Sequence, residues 1–109
     1  MKIRNKKEIK KNEIRKNKKT EHPAYIYARV GNSYKFIGIT HSPITQGVKN
    51  IKLDKNPNPK DTSTAYIRPK GQIDKSSNFK SKEKDWKLSK QDKRKVQGVI
   101  SKDKKKWCI

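Results

Sequence analysis

Two histidines are all that this chain contains, and both flank one apolar segment. His22 precedes Pro23 and the run Ala-Tyr-Ile-Tyr-Ala-Arg-Val; His41 follows Ser-Tyr-Lys-Phe-Ile-Gly-Ile-Thr and precedes Ser42-Pro43. An imidazole titrates near pH ~6.5 and can take or give a proton around neutrality. The hydroxyls of Thr40 and Ser42 can donate hydrogen bonds to phosphate oxygens, and the guanidinium of Arg29 or Arg68 can neutralise charge. A base, an acid and charge-stabilising donors are what a proton-transfer reaction at a phosphodiester requires. Each residue also has a plainer reading: His22 as a solvated turn residue, His41 as a loop residue bonding the backbone, Thr40 as a β-former.

These groups can meet only if the segment between them doubles back. Residues 23–30 and 33–40 are rich in aromatic and β-branched types and are separated by Gly31-Asn32, a pair suited to a two-residue hairpin turn. Antiparallel pairing predicts His22, Thr40, His41 and Ser42 as neighbours at the open end. In a regular strand Tyr25, Tyr27 and Arg29 share a face. Rings and guanidinium planes stack single-stranded bases at about 1–3 kcal/mol each, or the same tyrosines form a packed wall with their hydroxyls at its rim.

The 109 residues fit one domain, and a hydrophobic content of 28% allows only a modest core. The net charge of +21 is uneven. Residues 1–20 carry ten Lys/Arg and two Glu, residues 21–69 seven basic and three acidic groups, and residues 70–109 fourteen and five. Such a chain repels itself and is relieved by a polyanion, with nucleic acid the first candidate. Lysine-rich codon bias would raise Glu and Asp as well, yet acids number 10 against 31 bases. Lys70 in the Pro-Lys-Gly turn and Lys87, Lys93 and Arg94 in the basic C-terminal third are expected to hold phosphates without reading sequence. No apolar stretch is long enough for a membrane span, the basic N-terminus lacks the apolar region of a secretory signal, and the cytoplasm is the expected location. The single cysteine, Cys108, excludes an internal disulfide. No Cys/His cluster has zinc spacing, so neither metal nor cofactor is expected.

Along the chain, residues 1–20 read as a disordered basic arm, because Ile3, Ile9 and Ile14 build no helical stripe. Residues 21–109 read as one domain. After the hairpin, short strands are expected at 48–53 and 64–68 and around 72–74. An extended proline-stiffened loop over 54–61, a polar loop over 75–84 and a last strand around Trp86 and Leu88 complete that part. Ser89 and Asp92 have capping-box spacing before a helix near 90–102 with Val96, Val99 and Ile100 on one stripe. The elements make a mainly β fold, a small antiparallel barrel of five or six short strands with a C-terminal helix.

This order of elements resembles the MazF/PemK toxin family of metal-independent endoribonucleases on an SH3-like barrel, over residues 20–101. The likeness rests on His22-Pro23 in place of the family's Arg-Pro and on Ile37-Gly38-Ile39-Thr40. Later come Asn50–Leu53, Ala65–Pro69, Gln72-Ile73-Asp74-Lys75, and the Leu-Ser-x-x-Asp helix start with Lys95-Val96 and Val99-Ile100. The resemblance implies catalytic roles for the positions of His22 and Thr40, a homodimer and an acidic antitoxin partner. The leading expectation is therefore an RNA-binding protein of toxin-endoribonuclease type, with RNA favoured over DNA. The competing one is a non-enzymatic basic module that coats nucleic acid or inhibits a nucleic-acid-handling machine, as a ribosome-associated or mobile-element protein does.

Overall fold

Gly31, with φ of +58°, turns the chain between two eight-residue strands, and the resulting hairpin is the centre of the molecule. The computed structural model describes residues 6–8 and 13–107. In chain order the strands are β1 (Lys6–Glu8), β2 (Ile14–Asn17), β3 (Pro23–Val30), β4 (Ser33–Thr40), β5 (Ile44–Thr45), β6 (Val48–Lys49), β7 (Ile51–Lys52), β8 (Tyr66–Ile67) and β9 (Gln72–Lys75). A 3₁₀ turn (Ser76–Asn78), β10 (Phe79–Lys82) and one helix, α1 (Lys90–Trp107), complete the described chain.

Each hairpin strand serves two partners on its outer edge. The start of β3 pairs with β2 and its end with β1, while the start of β4 pairs with β9 and its end with β8. β10 extends the sheet beyond β2, and β7 extends it beyond β8. All these pairings are antiparallel. Five strands thus run in the order β9-β4-β3-β2-β10, and the sheet curls until its two edges approach. Asn17 Nδ2 donates to Asp74 Oδ2 at 3.1 Å and so ties β2 to β9 across that gap, while the Lys18 amide donates to the Asn78 carbonyl at 2.7 Å and prolongs the pairing of β2 with β10. Among the described residues the backbone ladder itself does not close into a barrel.

Curling separates two apolar clusters. Ala24, Ile26, Phe36 and Phe79 fill the concave side, where Phe79 meets Phe36 and Tyr34 edge-to-face at 5.1 and 5.5 Å. Tyr25, Tyr27, Ile37 and Ile39 belong to the larger convex-side cluster, which also takes in Val96, Val99 and Ile100 of α1. A β-bulge shifts the register of the hairpin between Ile26 and Ala28, so Tyr27 and Ala28 both reach the convex cluster. The expected single face of Tyr25, Tyr27 and Arg29 is broken there. Arg29 turns to the opposite side, its guanidinium 5.9 Å from the Tyr34 ring.

Several expectations give way. The basic arm does not extend to residue 20 as an unstructured tail: Ile14 is fully buried and Ile14–Asn17 is a strand between β3 and β10. Ile3 and Ile9 lie outside the described residues. The polar stretch 75–84 contains the 3₁₀ turn and β10, whereas Trp86 and Leu88 are not in a strand. The segment 48–53 divides: Val48–Lys49 pairs with β5 in a separate small hairpin, and Ile51–Lys52 joins the main sheet. Residues 56–63 are a chain of side-chain-closed turns, in which Asn56, Asn58 and Asp61 each accept the amide two positions on. The Ser89 hydroxyl accepts the Asp92 amide at 3.1 Å, as a cap should. The Asp92 carboxylate turns instead to the amides of Asp54 and Lys55, at 2.7 and 3.1 Å, and is wholly buried.

Candidate nucleic-acid interface

His22 is held at the mouth of β3 by a tight connection from β2. The Asn17 amide donates to the His22 carbonyl at 3.0 Å, the Glu21 amide to the Asn17 carbonyl at 2.8 Å, and Glu21 takes a φ of +61° to complete the reversal. Ala24 pairs with Gly38 beyond the bulge, and extending that register by two residues sets His22 opposite Thr40. Near the turn, Val30 pairs with Ser33. Carried through without a bulge, that register would have set His22 opposite His41. The extra residue in β3 therefore exchanges one partner for the other.

His22 and Thr40 line one cleft of about 450 Å3 with Arg68, which follows β8, and with Gly38, Gln72, Lys19 and Asp74. The Thr40 hydroxyl accepts the Ser42 amide at 3.2 Å, which leaves its proton to donate to a ligand oxygen. Arg68 is aimed by a neighbour that sequence reasoning missed. Asn50 Oδ1 accepts from Arg68 Nη1 at 2.7 Å, while Asn50 Nδ2 donates to the Ser42 carbonyl at 2.9 Å and to Thr45 Oγ1 at 2.8 Å. Gly38 lets the arginine stem lie across β4: a Cβ there would stand 3.2 Å from Arg68 Cγ. A glycine within an aliphatic strand is the sequence signal for such a close approach.

Asp74 shapes the local charge. Partial burial opposes its ionisation, but hydrogen bonds from Asn78, Asn17 and the Lys75 amide outweigh burial and hold the carboxyl below the ordinary aspartate range. It is thus a fixed negative group at neutral pH and no proton donor. Lys19 lies 3.7 Å from it.

Other predicted residues fall elsewhere. His41 is exposed and points away, its Nε2 3.1 Å from Asp61 Oδ2. Asp61 is itself held ionised, first by the Ser63 hydroxyl and amide and then by His41. Ser42 supplies its carbonyl to Asn50, not a hydroxyl to the cleft. Tyr25 and Tyr27 are buried, and burial pushes the Tyr25 phenol up, so neither ring offers a face for stacking bases. Arg29 sits at the turn end of the hairpin, with Nε on the Gly31 carbonyl at 3.1 Å. Lys70 is exposed on the turn that joins Arg68 to Gln72. Lys93 and Arg94 are exposed on α1, and Lys87 lines a different cleft of about 780 Å3. That larger cleft mixes Asp54, Asp61 and Asp85 with its lysines, a lining that repels phosphate as much as it attracts it. Among the described residues no three His, Cys, Asp or Glu side chains gather to hold a metal ion, and no helix is long and apolar enough to cross a membrane.

A scan against protein-family models gave no match, and searches of curated proteins and of solved structures gave no significant match.

Proposed function

We propose that the cleft between His22, Thr40 and Arg68 binds single-stranded RNA and cleaves it without a metal. The convergence of these three side chains in a protein of charge +21 is the observation that supports the reading. The 2′-hydroxyl oxygen attacks phosphorus as the bond to the 5′-oxygen breaks, leaving a 2′,3′-cyclic phosphate and a 5′-hydroxyl. The neutral His22 imidazole takes the 2′-hydroxyl proton, and water supplies a proton to the leaving oxygen. Thr40 donates to a phosphate oxygen, and Arg68 offsets the charge that builds on the phosphorane. The SH3-like barrel belongs to the same proposal, supported by the strand order β9-β4-β3-β2-β10 and the 3₁₀ turn that links the outer two. So do residence in the cytoplasm, a homodimer, and an acidic antitoxin whose charge complements the chain.

The test incubates wild type, His22→Ala and Thr40→Ala with labelled single-stranded RNA in EDTA and resolves the products on a sequencing gel. Discrete cuts by wild type alone support the enzyme. One observation favours the non-enzymatic alternative: His41 is turned out of the cleft, so His22 stands there without a second imidazole. Equal, salt-sensitive shifting of the RNA by all three proteins without cuts would establish that basic binding module.

A further inference from the structure

The basic residues of α1 lie across the sheet from the cleft. Along β4, Gly38 and Thr40 line the cleft and Phe36 packs in the concave cluster, whereas Ile37 packs in the cluster that contains Val96, Val99 and Ile100, as does Ile39, which also borders the cleft. The outward side of α1 therefore faces away from His22, and a short strand lying in the cleft does not touch it.

That outward side is strongly cationic. Lys90, Lys93, Arg94 and Lys102 are exposed, and the acidic residue within 90–102, Asp92, is buried beneath the helix. Lys95 is drawn inward by Asp54 at 3.1 Å and by the Lys52 carbonyl at 2.8 Å and takes no part. Helical spacing aligns Lys90, Arg94 and Gly98 on the line farthest from the buried stripe. Gly98 has no positive φ, and a Cβ built there meets nothing within 4 Å. Neither the backbone nor the packing asks for a glycine at a position where it weakens the helix. Its remaining effect is to let something outside the protein come close to the helix backbone. Arg94 and Lys102 lie one turn to either side of Gly98, Lys90 stands two turns before it and Lys93 flanks that line, so the exposed cations run along the helix as a chain of phosphates would.

We infer that the outer face of α1 is a second contact surface for the RNA phosphate backbone, separate from the cleft. It rests on the proposed function only in taking RNA as the polyanion. Long RNA engages both surfaces, one segment in the cleft and another along α1, while a short oligonucleotide reaches one. The helix face holds the substrate without reading its bases.

The experiment measures binding of 2′-O-methyl RNA, which lacks the attacking hydroxyl, so that retention is read without turnover. Probes of about six and about thirty nucleotides bracket the roughly 4–16 nucleotides that one small β fold covers. For wild type, the slope of log affinity against log salt is steeper for the long probe. In Lys90→Ala/Lys93→Ala/Arg94→Ala the long-probe slope falls by about 2, at ~0.7 per lost phosphate contact, and the difference between the two probes collapses. In Gly98→Leu the added Cβ meets nothing within 4 Å and the helix loses a weak helix former; the variant weakens long-probe binding several-fold with no loss of thermal stability. An unchanged long-probe slope in the triple variant, or equal loss for both probes, overturns the inference. Loss of poly-glutamate binding with RNA binding intact also overturns it and assigns the face to an acidic protein. Since cleavage is not read, failure of the proposed reaction leaves this result standing, and the converse also holds.

Discussion

His22 and Thr40 line one cleft, and the register that extends to set them opposite each other exists because Tyr27 is one residue too many for a regular ladder. Under the proposed reaction, His22→Ala lowers the rate of RNA cleavage by about 10²-fold or more, the usual contribution of a positioned proton-transfer group. His41→Ala leaves the rate within a few-fold of wild type. Parallel time courses on one labelled RNA separate the two. Asp74 makes a different prediction. Its carboxylate accepts from Asn17, which is nearly buried, and from Asn78. Asp74→Ala should therefore cost about 1–3 kcal/mol in urea unfolding by stranding both amides. A carboxyl with a lower pKa in the folded than in the unfolded chain adds stability above the unfolded value of about 3.9, and that stability is lost as pH falls through the folded value. Wild type should thus lose stability on acidification below about pH 4 more steeply than Asp74→Ala, as thermal melts across pH 2–6 will show.

Two elements deserve separate tests because single side chains hold them. Asp92 gives its buried carboxylate to the amides that open the 54–63 loop, so Asp92→Ala removes two hydrogen bonds to a charged acceptor and should destabilise by about 1.5–3 kcal/mol. Gly38→Ala should displace the Arg68 stem at little cost to the melting temperature and weaken RNA binding, which a filter-binding titration will register. The hairpin and helix were legible in the sequence because their signals are local: Gly31-Asn32 between β-rich runs, and Ser89 before the Val96-Val99-Ile100 stripe. β2 and β10 were not, because their apolar content reduces to Ile14 and Phe79 amid lysines, asparagine and serine, and only long-range pairing makes them strands. Trp86 and Leu88 alternate as a strand would, yet no ladder reaches them; both pack against the convex cluster. The open end of the hairpin was legible as a place and not as a set of partners. A one-residue bulge leaves no mark in composition, and it put Thr40 where His41 was equally plausible.

At the scale of the whole molecule, +21 charges on a fold with a Cα radius of gyration of 13.5 Å make solvent ions part of its stability. The melting temperature should rise from low to moderate salt as self-repulsion is screened, and rise again when RNA binds the folded state. Removing residues 1–20 should abolish cooperative unfolding, because the cut takes β2 with it. The pairing of β2 with β10 carries one more consequence, for the order of events during synthesis. Arg15 pairs with Lys82, and Phe79 packs on Ile26 and Phe36, so the concave cluster stays open until β10 has left the ribosome. Contacts between segments so far apart in sequence place such sheets among the slower-folding small domains, in milliseconds to seconds. A nascent chain stalled before Phe79 thus holds the hairpin without its cover, and the concave cluster forms only once β10 is free to pair with β2.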